Sequence, residues 1–536
     1  MVKRSVDALL VIAIISICST ASIYATKILL FPSSMSSHVR FFSRLGVDLA
    51  KLGNVVTVLV ASNARVPDFV TDDIENFTYL KYPVDRNTTI TNLPRTSKDM
   101  VDMAMTASPI RRMIMLGQHN DDMALEGEQD CMQLLHNIKI MSQVREAKYE
   151  FAIMDIIGAK ACYNTIPYLL EMPYATLSIE VVSPYLFRVP RFASFPNTIS
   201  GIGRLTFFER LTAFIVDFIA FLFMVPDTKY YMKKYAPNRP FINMLELHHR
   251  QSLWFFLENL LINYPLPQMP NTVAVGDIMV GAKEQTLSAE IKEFVSRSKH
   301  GVIIVSFGSY CEYFPPAINQ KLCEGLTEAT KRFGLSVIWK LQSQSFCTND
   351  NILTLPWIPQ YDLLAHPKVK LFISHGGYNS IIESVYHSKP LILLPLSIDQ
   401  PANAAAAESK GYAIQMKITD FTSQSLVSNI GKLLTNPSYK RNISLASAIL
   451  RDRRDTPAQR VSAMIDHVIK YGDRHLRTGA FELTMFQFMM FDIFAALVAA
   501  AAFLLSAIML FCCCIYRNCF RRGTHFQTKL QKFKLQ

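Results

Sequence analysis

Residues 369–395 leave this chain few ways to fold. Val369–Ser374 (VKLFIS) is a short apolar run of buried-strand type. His375, Gly376 and Gly377 break that run. Residues 379–386 then carry Ile381, Ile382 and Val385 on one side, which is helical spacing. The pattern is strand, tight glycine turn, helix. Such a turn aims backbone N–H groups and the positive end of the helix dipole at whatever lies above it. Residues 390–395 (PLILLP) supply the next buried strand. Asp399 and Gln400 follow at its C-terminal end, the edge at which open α/β sheets bind ligands. A glycine turn by itself can equally be a steric device. The reading therefore rests on what surrounds it.

At 536 residues the chain exceeds one compact core, so two domains are expected. Half of its residues are hydrophobic and the mean hydropathy is positive. That suggests membrane-embedded segments. The net charge of +12 is scattered except at the C-terminus, which gives a nucleic-acid partner little support. Neither zinc-type Cys/His spacing nor an internal repeat is evident. Of ten Cys, Cys512, Cys513, Cys514 and Cys519 cluster near the C-terminus and Cys18 lies near the N-terminus. Five remain, so at least one is expected to be unpaired, and no disulfide framework can be read from them.

Residues 1–25 have the make-up of a secretory signal: Lys3 and Arg4, an apolar stretch, then small residues. An uncleaved anchor or a first core strand would read similarly. Sequons at Asn76, Asn87 and Asn442 agree with export. Residues 27–32 predict a first strand, 39–52 an amphipathic helix and 55–60 a second strand, a βαβ unit. His38 sits where the first strand's loop enters that helix. Residues 149–155 (YEFAIMD) predict another buried strand ending in Asp155. The next helix is predicted at 159–170 and a strand at 173–177. Residues 211–225 are apolar but interrupted by Asp217, so they read as a core helix or, preferably, a helix in the membrane interface. Residues 258–278 predict two short strands joining the domains. The second domain predicts a strand ending in a Gly-Ser turn at 301–309, a helix at 317–333 and a strand at 336–341. It closes with helices at 424–436, 439–451 and 456–471.

Residues 493–516 contain 24 positions without a charge. That length suffices to cross about 30 Å of hydrocarbon. Arg517, Arg521, Arg522, Lys529, Lys532 and Lys534 follow without an acid, which predicts a cytosolic tail and a lumenal remainder. Lys532 and Lys534, fifth and third from the end, resemble a dilysine retrieval signal for the endoplasmic reticulum. A basic segment drawn to anionic lipid explains the same residues.

Trp-x-Pro-Gln (357–360), Asp-Leu-Leu-x-His-Pro (362–367), His-Gly-Gly-x-Asn-Ser-x-x-Glu (375–383) and Asp-Gln-x-x-Asn-Ala (399–404) occur in order at fixed spacing. Together they resemble the signature of the UDP-dependent glycosyltransferases, in the animal UDP-glucuronosyl/UDP-glucosyltransferase branch and of invertebrate type. The resemblance implies an α/β fold of GT-B type, with two Rossmann-like domains of parallel sheet and a C-terminal transmembrane helix. It divides the chain into a signal peptide (1–25), an acceptor domain (26–270) and a UDP-sugar domain (271–455). A segment crossing back (456–492), a membrane helix (493–516) and a basic tail (517–536) complete it. It further implies His38, after Ser37, as general base, with Asp155 orienting it. His375, Gly377, Asn379, Ser380 and Ser309 would hold the diphosphate. Trp357 would stack on the uracil with Gln360 nearby, Glu383 would take the ribose hydroxyls, and Asp399 and Gln400 would accept from the sugar hydroxyls.

The UDP-sugar would be a co-substrate, with no cofactor or metal required for the chemistry. The other partners would be a small lipophilic acceptor and the membrane, with a homo- or hetero-oligomer left open. The expected activity is inverting transfer of a hexosyl group, glucose or glucuronate, giving β-glycosides in the lumen of the endoplasmic reticulum. Two alternatives stay open: a non-catalytic UDP-sugar-binding homologue, and a transferase dedicated to one membrane lipid. Three departures from the family pattern stand out. Asn54 replaces a His, Asp277 replaces the second of two glycines, and Ser388 replaces a glycine.

Overall fold

The computed structural model describes residues 25–533 except 34–35, 68, 71–73, 85–92, 107–108, 156–161, 179–206, 209–210, 212–227, 258–260, 262–268, 282–285, 309–313, 342–346, 348 and 397–398. The chain forms two compact units, one up to Leu476 and one from Arg477.

The first unit holds two parallel sheets. The first contains β1 (Lys27–Phe31), β2 (Val55–Ala61), β3 (Phe77–Tyr82), β4 (Phe151–Asp155), β5 (Tyr174–Ser178), β6 (Leu253–Phe256) and β7 (Thr272–Ala274). Their order is β3-β2-β1-β4-β5-β6-β7. The second contains β8 (Val302–Ser306), β9 (Ser336–Lys340), β10 (Ile352–Leu355), β11 (Val369–Ser374), β12 (Leu391–Leu393) and β13 (Ala413–Gln415). Its order, β10-β9-β8-β11-β12-β13, repeats the same winding. The chain direction of winding reverses between β1 and β4 in one sheet and between β8 and β11 in the other. Ligands of open α/β sheets sit at such switch points, above the C-terminal strand ends.

The near-continuous apolar strands follow from burial on both faces. In β1, Ile28 and Leu30 enter one core cluster and Leu29 and Phe31 the opposite one. The helices that bear on the site are α1 (Ser36–Lys51), α2 (Pro109–His136), α3 (Cys162–Leu170), α4 (Tyr378–Tyr386), α5 (Gln400–Ser409) and α6 (Pro457–Tyr471). In α1, Phe41, Phe42, Leu45 and Leu49 are buried against β2, as their helical spacing predicts. Helix α6 follows the second sheet in sequence but packs on the first domain. Thr26 Oγ1 donates to Asp466 Oδ1 at 3.3 Å, and Arg460 Nη1 donates to the Ala274 carbonyl at 3.2 Å. Asn54, where the family pattern has His, is part of this seam. Its Nδ2 donates to the Leu49 carbonyl and to Ser462 Oγ at 3.1 Å, so the position fastens α6 to the end of α1.

The structure corrects two expectations and supplies disulfide pairings that the sequence left open. The domain boundary expected at 270 falls early, because Thr272–Ala274 pairs in parallel with β6 of the first sheet. Of two strands expected within 258–278, the described residues contain that one; its neighbour is Leu253–Phe256, just upstream. Cys131 pairs with Cys162, joining α2 to α3, and Cys323 pairs with Cys347. Each closes a loop of a few tens of residues, worth roughly 3–4 kcal/mol in the chain-entropy account. Cys311 lies outside the described residues.

Ser388 has a φ of +54°, the left-handed region that favours glycine. Its N–H donates to the Val385 carbonyl and its carbonyl accepts from Lys440 Nζ at 2.7 Å. A glycine relieves the Cβ clash but has more unfolded-state entropy to lose. Ser388→Gly is therefore expected to stabilise by about 0.5–1 kcal/mol, read from thermal unfolding of the solubilised protein.

The second unit is dominated by α7 (Phe491–Phe533). Its apolar segment, Phe491–Asn518, contains an 18-residue window with a mean hydropathy of 2.7, is long enough to cross a membrane, and encloses the predicted 493–516. Residues 212–225 of the expected interfacial helix lie outside the described residues; Leu211, at its start, is exposed.

Candidate active site

The first half of the site grows from the switch point of the first sheet. The loop after β1 leads into α1, and the first turn of that helix carries His38. Register pairs Phe31 of β1 with Met154 of β4, so Asp155, the last residue of β4, stands beside that loop. His38 Nδ1 lies 2.6 Å from Asp155 Oδ2, with both residues buried. The same oxygen accepts the Ser33 backbone N–H at 2.9 Å. An ionised carboxylate can only accept, so the shared proton sits on Nδ1 and the lone pair on Nε2. The pair is thus arranged to take up a proton at Nε2.

A buried tyrosine backs this pair. The ring of Tyr163, on α3, lies 4.2 Å from that of Phe31. Burial pushes its phenol well above the ordinary range, with Tyr82, Asp130 and Asp155 adding to the effect. The Cys131–Cys162 bridge brings Asp130 and Tyr163 into the same neighbourhood, directly next to the two sulfurs in sequence.

The second half grows from the switch point of the second sheet. Strand β11 ends at Ser374, and His375-Gly376-Gly377 turns the chain into α4. Gly377 is the N-cap and offers no side-chain oxygen to the first turn, so its N–H groups are presented for an outside acceptor. The glycines are sterically required. Gly376 has a φ of +87°. A Cβ on Gly308 or on Gly377 would stand 2.8 Å or 2.6 Å from the His375 ring. Burial pushes the His375 imidazole down to about 4, with the Lys340 ammonium contributing.

Helix α4 brings Asn379, Ser380 and Glu383 up beside this turn. Gln360, at the start of the helix after β10, donates from Nε2 to Glu383 Oε2 at 2.7 Å and to Ser380 Oγ at 3.3 Å. Burial raises the Glu383 carboxyl above its ordinary value, against the pull of Gln360 and Arg40. Trp357 is 49% exposed, which leaves indole surface to stack on. Two cations flank it: Lys340 Nζ at 4.7 Å from the ring centroid and the Arg65 guanidinium at 5.3 Å.

Asp399 caps α5 and faces back to the glycine turn. Asn403 Nδ2 donates to its Oδ2 at 2.6 Å and to the Gly376 carbonyl at 3.2 Å. Burial pushes the Asp399 carboxyl up to about 6, opposed by N–H donors around it and by His38. Gln400 Oε1 accepts the Leu396 N–H at 2.9 Å, which anchors the side chain at the start of α5.

The two halves face each other. His38 and Arg40, from the first domain, act electrostatically on Asp399 and Glu383 of the second. Asp277, unexpected in the family pattern, is part of the hinge between them. It is buried, and its Oδ1 accepts from the hydroxyl of Tyr378, first residue of α4, at 2.7 Å. A sequence comparison with known families matches residues 26–526 to "UDP-glucoronosyl and UDP-glucosyl transferase".

The chain belongs to this family.

Similar proteins include a UDP-glucuronosyltransferase 2A3 of Cavia porcellus, 27% identical over 91% of this chain and 93% of that one. A 2-hydroxyacylsphingosine 1-beta-galactosyltransferase of Mus musculus is 28% identical over 89% of this chain and 86% of that one. Among solved structures, Phytolacca americana UGT2 with UDP-2fluoro-glucose and pterostilbene aligns with a TM-score of 0.54 at 15% identity. It covers 83% of this chain and all of that one. The kitacinnamycin glycosyltransferase aligns with a TM-score of 0.56 at 14% identity, over 83% of this chain and 99% of that one. The fold is GT-B, and the protein is a UDP-glycosyltransferase.

The remaining predicted positions are less informative. Ser309, Asn87 and Lys534 lie outside the described residues. Asn76 is exposed in the turn before β3. Asn442 is exposed and uses Nδ2 to donate to the Gly411 carbonyl at 3.0 Å, with a second hydrogen on that nitrogen. Lys532 falls within α7. Sequence reading missed Lys340, Arg65, Arg40 and Tyr163. Of these only Lys340 left a signal, as a lone cation closing an apolar strand.

Proposed function

We propose that this UDP-glycosyltransferase transfers a hexosyl group from a UDP-sugar to a hydroxyl of small lipophilic acceptors, with inversion, at the lumenal face of the endoplasmic reticulum. The observation that carries it is the approach of the buried His38–Asp155 pair to Asp399 of the second domain. An unactivated hydroxyl is a weak nucleophile at neutral pH. His38 Nε2 takes its proton as the oxygen attacks the anomeric carbon, and Asp155 steadies the imidazolium that forms. The bond to UDP breaks on the opposite face, so an α-linked donor gives a β-glycoside. Negative charge grows on the diphosphate, and the N-terminus of α4, His375, Asn379 and Ser380 receive it, with Ser309 and the Lys340 ammonium alongside. No metal is needed for this chemistry. Trp357 stacks on the base, Glu383 takes the ribose diol, and Asp399 with Gln400 holds the sugar.

Glucose is the favoured donor. Lys340 and Arg65 flank Trp357, and Arg40 acts on Glu383. They gather near Trp357 and Glu383, the nucleoside end, whereas Asp399, at the sugar end, is an acid. A glucuronate carboxylate would want a cation there. The relatives that act as UDP-glucuronosyltransferase and 1-beta-galactosyltransferase show that the family accommodates several sugars. The lumenal setting is supported by the two disulfides, which belong to oxidising compartments, and by the exposed sequons Asn76 and Asn442. The apolar window of α7 and the basic residues after it complete that picture, with Lys532 and Lys534 as a retrieval signal.

Microsomes bearing the protein, offered a panel of phenols with UDP-glucose or UDP-glucuronate, test the reading. Product from UDP-glucose is expected; product from UDP-glucuronate alone would reverse the donor assignment. UDP binding without product from either would favour a binding-only homologue. The raised Asp399 carboxyl adds a pH signature. Above about 6 it is ionised and accepts from the sugar; as pH falls through that value it takes a proton and the donor KM should rise. Asp399→Asn should remove that inflection, and a KM that stays flat down to pH 5 in the unaltered enzyme would count against the role.

A further inference from the structure

Three consecutive thiols lie near the far end of the apolar window of α7. Cys512, Cys513 and Cys514 are free and exposed, whereas Cys131, Cys162, Cys323 and Cys347 of the first unit are all bonded. The division follows the membrane reading, since a cytosolic environment keeps thiols reduced and a lumenal one oxidises them. At 1.5 Å per residue, the rise from Ile493 to Cys512 is roughly 29 Å, close to the thickness of the hydrocarbon core. The thiols therefore stand at the second membrane boundary. Arg517 follows within one turn of Cys514 and fixes that boundary on the cytosolic side. Successive helical residues point about 100° apart, so the three thiols fan around much of the helix. Whichever face packs on a neighbour, at least one thiol meets the interface between lipid and water.

We propose that Cys512, Cys513 and Cys514 are a site of S-acylation by long-chain fatty acyl-CoA, delivered by a membrane acyltransferase on the cytosolic side. The cysteine sulfur attacks the acyl carbonyl, a new C–S thioester bond forms, and the C–S bond to coenzyme A breaks. Coenzyme A leaves as its thiol and carries the proton. The acyl chain folds back into the leaflet beside the helix, at the depth where the cysteine backbone already lies. The proposal rests on the single-span orientation given above and goes beyond it.

The test uses the full chain in animal cells fed an alkynyl fatty acid. The purified protein is coupled to a fluorophore before and after neutral hydroxylamine, which cleaves thioesters. The unaltered chain and a Cys512→Ser/Cys513→Ser/Cys514→Ser variant, which retains Cys519, are compared. The expected result is a label that hydroxylamine removes and that the triple variant loses, while the variant keeps its UDP-sugar transfer activity. A label that persists in the variant would place acylation elsewhere and overturn the assignment. Absence of label, with a dimer that reductant dissolves and the variant lacks, would make the cluster a cross-link instead. Glycosidase shifts at Asn76 and Asn442 report the orientation separately. Without them the topology fails and the proposal falls with it; with them and no label, only the proposal falls.

Discussion

His38→Ala is expected to lower kcat by roughly 10²–10⁴-fold, the range a positioned general base contributes, while UDP affinity stays near that of the unaltered enzyme. The reason is geometric. His38 contacts the first domain and Asp155, not the nucleotide end of the cleft, so its loss removes proton uptake and leaves donor binding in place. Asp155→Asn is expected to cost on the order of 10²-fold or more by a different route. The Ser33 N–H holds the amide oxygen where it still meets Nδ1 at the 2.6 Å contact, so the tautomer is kept. What is lost is the negative charge that steadies the imidazolium as the proton is taken up. Single-turnover kinetics with saturating donor measures both. Full transfer by His38→Ala would mean that the base lies elsewhere, and equal loss of UDP binding would mean a collapsed cleft rather than a missing proton acceptor.

Glu383→Ala should act almost entirely on the donor. A pair of charge-assisted hydrogen bonds from the ribose hydroxyls is worth about 3 kcal/mol, so UDP affinity should fall about 10²-fold with a smaller change in kcat. The buried carboxylate also anchors the Gln360 amide at 2.7 Å. Its removal therefore loosens the segment that carries Trp357. Glu383→Gln keeps the volume and should sit between the two. Titration of solubilised protein with UDP distinguishes the cases. An unchanged dissociation constant in Glu383→Ala would remove Glu383 from the ribose site.

Much of the donor half was legible because its residues are local in sequence. The strand, the glycine turn and the helix from Val369 to Tyr386 declare themselves by period and by Gly376 and Gly377. Trp357, Gln360, Glu383 and Asp399 fall at fixed distances along the same stretch. The His38–Asp155 pair was harder, since the two residues are joined only when β1 and β4 become neighbours. Only the family resemblance singled them out. Arg65 and Arg40 could not be read at all, because nothing in a surface-like arginine announces that another domain will face it. Asn54 and Asp277 looked like losses relative to the family pattern. In the structure each has found a partner on the far side of a seam, Ser462 and Tyr378. The disulfide partners were illegible for a similar reason: five cysteines permit many pairings, and helix packing selects among them. The boundary near 270 misled because β7 is three residues long and only its register with β6 shows to which sheet it belongs.

The return of α6 to the first domain sets an order of events in the cell. Thr26 and Asp466 are 440 positions apart. At a synthesis rate of about 5–20 residues per second, roughly 20–90 s separate the emergence of β1 from that of the helix that finishes its domain. Through that interval the surface of α1 awaiting α6 stays uncovered and must be shielded from other nascent chains. Its closure comes only after the second sheet and its helices have been made, shortly before the apolar helix α7 emerges. A chain cut short before residue 457 therefore loses more than its tail: it leaves the first domain itself unfinished.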